Sequence, residues 1–212
     1  MTRLSLPEPL DVPWIMKPLD SAESDVQHLD DGRLRLVLRH DVLRWITPDM
    51  VRWWFQNIGG DMRLAGTQVP RYRVWHPRDH VSWRLVRAGG AKIGPGAIFH
   101  IQECLGRDPR WALDTRLHVT RLDDGGFATR PSMHGLRLAQ MTYRFTEVTG
   151  GTRYENDLTL GLTGARWFNT AVLPRVFPEE RGRAWLVHNV EEVGNLEYFL
   201  PDLIAQIRHE AA

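Results

Sequence analysis

Near its C-terminus the chain reads Trp185-Leu186-Val187-His188-Asn189-Val190-Glu191-Glu192, inside its longest helix-like stretch. A histidine and a glutamate four residues apart share one face of a helix, one turn from each other. That spacing brings an imidazole nitrogen and a carboxylate oxygen within reach of one divalent cation. The stripe is otherwise apolar, running through Trp185, Leu196 and Phe199 in steps of three and four. Ionisable groups on a buried face are costly unless paired or metal-bound. The alternative use of the pair is to support the fold on the helix surface. Glu191 is turned about a quarter-circle from Glu192 and is the weaker helical donor.

Two other segments offer donors. In Phe99-His100-Ile101-Gln102-Glu103-Cys104-Leu105, alternation sends Phe99, Ile101, Glu103 and Leu105 to one face, the inward one. A buried carboxylate there needs a metal or an arginine, and arginines abound. The segment His76-Pro77-Arg78-Asp79-His80 carries two imidazoles around a proline that interrupts a strand, and Asp79 can orient a ring by hydrogen bonding. The turn resets strand parity, so spacing leaves open whether His76 or His80 points inward. Two surface histidines on a loop are the plainer alternative. Together, two histidines and two glutamates from three elements form an N/O donor set for zinc or another first-row divalent ion.

The elements that must position these groups follow from pattern. Residues 1–30 are proline-rich and read as an extended arm over a single domain spanning 31–212. Gly32 to His40 alternates as a half-buried strand. Thr47-Pro48-Asp49 starts a helix with a hydroxyl cap, a first-turn proline and an acid, and Gly59-Gly60 stops it. Arg71 to Trp75 alternates as an extended run, and Val81 to Val86 resumes that character. Four more strands are expected over 97–105, 113–122, 136–148 and 152–162, with Gly-rich turns at 123–126 and 149–151. The last fifty residues read as helical, around 167–176 and again from Glu179, with Pro201 kinking or ending the long helix. Many antiparallel strands followed by a long helix argue for an α+β fold, a curved sheet gripping that helix around a cavity.

Composition excludes several function classes. The 27 basic and 26 acidic residues balance, so no overall field favours nucleic acid or a membrane surface. The single cysteine, Cys104, suits a reducing cytoplasm, and no run resembles a signal peptide or a bilayer span. There is no Gly-x-Ser-x-Gly elbow, no phosphate loop and no strand–Gly-x-Gly-x-x-Gly–helix unit. Nine tryptophans suit a large core or an aromatic-lined pocket.

The ordered series Ile46-Thr47-Pro48-Asp49-Met50…Trp53-Trp54-Phe55, Tyr72…Trp75-His76-Pro77…Asp79-His80, Gly96-Ala97-Ile98-Phe99-His100-Ile101…Glu103 and His188…Glu191-Glu192…Gly194-Asn195-Leu196…Phe199-Leu200-Pro201 resembles the 2,4-diacetylphloroglucinol hydrolase family. The resemblance runs from about Arg33 to Leu203. It implies a Bet v 1-like (helix-grip) fold and zinc held by two histidines and two glutamates. It also implies hydrolysis of a carbon–carbon bond that releases an acid from an acylated phenol or β-diketone-like substrate. Carried over, the metal ligands are His80, Glu103, His188 and Glu192, with His76 the fallback histidine. Tyr72 and His134 would hold ring oxygens and move protons beside Glu103, and His76, Tyr143 and Tyr154 would contact the substrate. Much of the family's N-terminal portion has no counterpart, which loosens the acylphloroglucinol substrate itself. The partner implied is a small aromatic or polyketide-like molecule, with a homodimer allowed and neither nucleic acid nor membrane expected. The competing function is a non-catalytic helix-grip carrier of a hydrophobic or aromatic small molecule.

Overall fold

The computed structural model describes residues 4–90, 93–132 and 138–210, apart from the side chain of Ser132. Strands β1 (Ala22–His28), β2 (Leu34–His40) and β3 (Leu43–Arg44) precede helix α1 (Pro48–Asn57). A small hairpin, β4 (Asp61–Leu64) and β5 (Thr67–Pro70), leads into α2 (Arg71–Trp75). Then come β6 (His80–Arg87), β7 (Ile98–Cys104), β8 (Ala112–Asp123), β9 (Gly126–Ser132), β10 (Ala139–Val148) and β11 (Gly151–Leu160). The short helices α3 (Arg166–Ala171) and α4 (Leu173–Val176) lead to α5 (Glu179–Glu210).

Nine of these strands form one antiparallel sheet in the order β1-β2-β11-β10-β9-β8-β7-β6, with β3 paired to β11. The sheet's concave face packs on α5. Leu36, Leu38, Leu158 and Leu160 meet Trp185, Leu186 and Val190 in one core cluster. Trp54 and Phe55 of α1 meet Phe127, Tyr143 and Phe145 of the sheet, and Leu196, Phe199 and Leu200 of α5, in the other. Thr47 caps α1 by accepting from the Met50 amide, and Pro48 opens its first turn.

Four local expectations change. Residues 22–28, expected to be irregular, form β1, which pairs along its whole length with β2. The stretch 126–132 forms β9, which begins at Gly126 inside the expected turn 123–126. Arg71 to Trp75 is a helix rather than a strand, and it buries Tyr72, Val74 and Trp75 together. Five residues fit either period, and Pro70, extended at φ −60° and ψ 130°, ends the preceding strand just before it. Finally, α5 runs through Pro201. The missing N–H costs one backbone bond, but Leu200, Leu203 and Ile204 are buried on either side of it and hold the last turns in place.

The arm lies across α5 and the His76–His80 segment. Trp14 Nε1 donates to Asn195 Oδ1 at 3.0 Å, Lys17 pairs with Glu197 at 2.6 Å, and the Leu10 amide donates to the Pro77 carbonyl at 3.0 Å. Gly194 lets the arm approach: a Cβ there would sit 2.8 Å from the Lys17 side chain.

Candidate metal centre and cavity

Three elements bring the donors together. The β6–β7 register sets His80 opposite Glu103, with a bulge directly after His80. Helix α5 supplies His188 and Glu192 from the stripe that faces the sheet. His80 is fully buried, and His188, Glu192 and Glu103 are nearly so. His80 Nε2 lies 3.5 Å from Glu103 Oε1 and 3.4 Å from Glu192 Oε2. His188 Nε2 lies 3.7 Å from Glu192 Oε2 and 4.0 Å from Glu103 Oε2. Zinc–ligand bonds of about 2.0–2.2 Å at tetrahedral angles give edges of about 3.3–3.6 Å, close to this spacing.

Hydrogen bonding decides which atoms are free. His80 Nδ1 is 2.7 Å from the Tyr72 carbonyl, which only accepts, so Nδ1 carries the proton and Nε2 keeps a lone pair. That buried Nε2 has no hydrogen-bond partner. His188 Nδ1 is 3.0 Å from Asp79 Oδ2, which also takes the Gly106 amide at 2.8 Å. The neutral His188 ring therefore also turns a lone pair toward the two glutamates. Tyr72 donates its hydroxyl to Glu103 Oε1 and stacks on the His80 ring, centroids 3.9 Å apart and nearly parallel. It restrains two of the four donors at once.

His76 is engaged at both nitrogens. Nδ1 accepts the Asp79 amide at 3.1 Å, so Nε2 carries the proton that it gives to Glu191 Oε2 at 3.0 Å. It lies behind His188, rings stacked at 4.4 Å, and not on the cavity wall. Among the described residues two groups of three have metal-like mutual spacing: His80, Glu103 and His188, and His76, Asp79 and His188. In the second, both His76 nitrogens and Asp79 Oδ2 are already hydrogen-bonded and only Asp79 Oδ1 is without a partner, which makes it the support of the first. Asp79 thus orients His188 rather than its neighbour His80.

Without a cation, protons must balance this cluster. Burial works against a charge on His188, but the Asp79 hydrogen bond and the Glu192 and Glu103 carboxylates outweigh it and lift its pKa to about 9. Burial pushes Glu192 well above the carboxylate range, against the pull of His188, and raises Glu103 too. His80 falls well below the usual histidine value through burial and the neighbouring His188 and His76. Burial also disfavours charge on Asp79, yet the His188 hydrogen bond, the His188 and His76 charges and the Gly106 amide together outweigh it and hold it at about 2. A divalent cation would compete with these protons for the same lone pairs.

The cluster opens on a cavity of about 340 Å³ between α5 and the sheet. Tyr72, Glu103, His188 and Glu192 form a polar spot on its wall, which is otherwise largely aromatic and aliphatic. Tyr143 lines it as well, and burial followed by the Glu192 and Glu103 charges keeps its phenol protonated. Tyr154 does not line it: its ring is fully buried against His40, Tyr143 and Phe145. His134 lies outside the described residues.

Two polar residues here were not singled out in their actual places. The Asp79–His188 bond spans 109 positions and leaves no local signal. Arg181 also lines the cavity. It stands four residues before Trp185 on the His188 stripe, so the 3.6-residue period marks it.

No family model matches the chain, and no curated protein matches it in sequence. Among solved structures it is similar to a protein from Nitrosomonas europaea, with 13% identity and a TM-score of 0.51 over 84% of this chain and 99% of that one. It is similar to Ara h 8.0201, with 12% identity and a TM-score of 0.50 over 78% of this chain and 99% of that one. A third is the di-domain ARO/CYC BexL from the BE-7585A biosynthetic pathway, with 12% identity and a TM-score of 0.50 over 79% of this chain and 50% of that one. At such identities the likeness concerns architecture, and with the nine-stranded sheet gripping α5 it establishes that the chain has the Bet v 1-like helix-grip fold.

Proposed function

We propose that this protein is a metal-dependent hydrolase, using zinc, that cleaves a carbon–carbon bond beside a carbonyl in an acylated phenol or β-diketone. One observation carries the reading. His80 and His188 each have one nitrogen committed to a hydrogen bond, and their other nitrogens face two buried carboxylates at 3.4–4.0 Å. Such a set of acceptors has no mutual partner and must take up either a cation or protons. The resemblance of the residue series to the diacetylphloroglucinol hydrolase family supports the choice of reaction.

Zinc held by His80, Glu103, His188 and Glu192 would supply Lewis acidity at a carbonyl oxygen. The chain's own residues would do the rest. Tyr72 keeps Glu103 and His80 aimed at each other. The apolar wall holds a flat substrate and limits water to the reacting carbonyl. Water adds to the carbonyl carbon and becomes the hydroxyl of the released acid. The carbon–carbon bond that breaks leaves an enolate when the substrate is a β-dicarbonyl or the keto form of a phenol, and its carbon must then take a proton, balanced by the one the water gives up. Tyr143, a neutral phenol on the cavity wall and close enough to the cluster to feel Glu192 and Glu103, is the donor assigned to that step.

Purified protein is expected to hold about one zinc per chain and to release acid from members of a panel of acylated phenols and β-diketones. His188→Ala and Glu192→Ala are each expected to lose both the metal and hydrolysis. Full activity in either variant rejects the assignment. The apolar cavity also suits a non-catalytic carrier. Metal-free protein that binds such compounds without cleaving them would favour that reading.

A further inference from the structure

Helix α5 lines the cavity with Arg181, Trp185, His188, Asn189 and Glu192. Arg181 precedes His188 by seven residues, two turns or about 10 Å along the axis. The residue is only 9% exposed. Nη1 donates to the Val176 carbonyl and Nη2 to the Ala112 carbonyl, both at 3.2 Å, and the guanidinium lies over the Phe177 ring. Nε, also buried, has no partner. At least three of the five N–H donors are thus unused by these two bonds.

Carbonyl dipoles and an aromatic face do not neutralise a charge. Among the described residues Arg181 makes no ion pair, and the segments outside them contain no aspartate or glutamate. Burial lowers its pKa with no charged neighbour opposing the shift. A guanidinium nevertheless keeps its proton at any working pH. The other ionised or ionisable groups on this wall, the tyrosines aside, belong to the metal cluster. Around Arg181 the wall is Leu113, Val176, Phe177 and Trp185. A buried cation without a counter-charge is costly to keep, and a ligand anion is the partner the cavity can admit.

We infer that Arg181 is an anion-binding subsite, and that the cavity's ligand is an amphipathic acid: an aromatic or ketonic body with its carbonyl at the metal cluster and a terminal carboxylate at the Arg181 end, two turns away along α5. The subsite stands on Arg181 alone; the identity of the far end as a cleavable ketone rests on the hydrolase reading above. Were Arg181 only a tie between α4, β8 and the start of α5, ligand charge would make no difference.

The probes are a 1-phenyl-1,3-diketone carrying a carboxylate at the end of a four-carbon alkyl chain, and its methyl ester. Binding to the zinc-loaded full chain is read by calorimetry and turnover by acid release. Wild type is expected to bind the acid roughly tenfold or more tighter than the ester, the size of one charge-assisted hydrogen bond. Arg181→Met is expected to erase that preference, so that acid and ester bind alike, while leaving zinc content unchanged. Should this variant fail to fold, the acid-to-ester ratio in wild type and in Arg181→Lys still decides. Equal binding of acid and ester by wild type overturns the subsite, whatever happens to turnover. An Arg181-dependent preference for the acid, with no metal bound and neither diketone cleaved, keeps the subsite and rejects the hydrolase.

Discussion

His40 on β2 reaches Asn156 on β11, and through it Asn189 on α5, the residue after His188. His40 Nε2 gives its proton to Asn156 Oδ1 at 2.8 Å, Asn156 Nδ2 donates to Asn189 Oδ1 at 2.7 Å, and Asn189 Nδ2 donates to the Trp185 carbonyl at 3.0 Å. Donor meets acceptor at every step, all members are neutral, and the chain ends on backbone. One residue away on the same helix, His80, Glu103, His188 and Glu192 turn acceptors toward one another. Burial is the same in both places. The difference lies in complementarity: a closed neutral network ties helix to sheet and needs nothing more, whereas convergent acceptors imply a cation or a set of protons.

The contrast can be broken most strongly through acid titration of the closed network. Burial, against the Asn156 hydrogen bond and aided by Lys17, lowers the His40 pKa to about 4. Between that value and about 6.5 the unfolded chain takes up a proton that the native state refuses. Stability from a neutral His40 is therefore complete above pH 6.5 and is lost as the pH falls toward 4, by roughly 3 kcal/mol in full. His40→Gln, which keeps an amide for Asn156, is expected to flatten the pH slope of the unfolding free energy across that window. An unchanged slope in urea melts would mean that His40 is not held neutral by the network.

The open cluster is sharpened through its support. Asp79→Asn preserves the shape and an acceptor for His188 Nδ1 but removes the charge. Zinc affinity, measured by competition with a chromogenic chelator, is expected to fall 10- to 100-fold, as loss of a supporting carboxylate does at other zinc sites. Wild-type affinity in this variant would detach Asp79 from the centre. The smallest effect is expected from Tyr72→Phe, which keeps the stack on His80 and deletes the hydrogen bond to Glu103. Losing one such bond is worth about 1 kcal/mol, so zinc should bind several-fold more weakly. A metal affinity equal to wild type would show that Glu103 is aimed by something else.

Much of this arrangement was legible before any coordinates. His188, Glu192 and Trp185 fall on one stripe because the helix repeats every 3.6 residues, and Glu103 faces inward because a strand alternates. The Thr47-Pro48 start and the Gly-rich turns before β11 and after β8 carry their own backbone requirements. Other features were not legible. Alternation in Arg71 to Trp75 imitates a strand, and only the burial of Tyr72, Val74 and Trp75 on one side reveals the helix. Tyr154 looked as suitable for the pocket as Tyr143, but adjacent strands in the sheet set them at different depths, one on the cavity wall and one behind it.

What the chain determined locally is whatever the backbone period imposes within a few residues: a helical His–Glu pair, an inward strand glutamate, a capped helix and an antiparallel α+β plan. Only the tertiary structure showed which of His76 and His80 keeps a ring nitrogen free toward Glu103 and Glu192, because that depends on which ring nitrogen meets an acceptor. The Tyr72 carbonyl frees His80 Nε2, while the Asp79 amide and Glu191 occupy His76. It also sent Asp79 across the fold to His188 and left Arg181 in the cavity wall without a counter-charge. Hydrogen-bond partners over a hundred residues apart are chosen by packing, which no local period encodes.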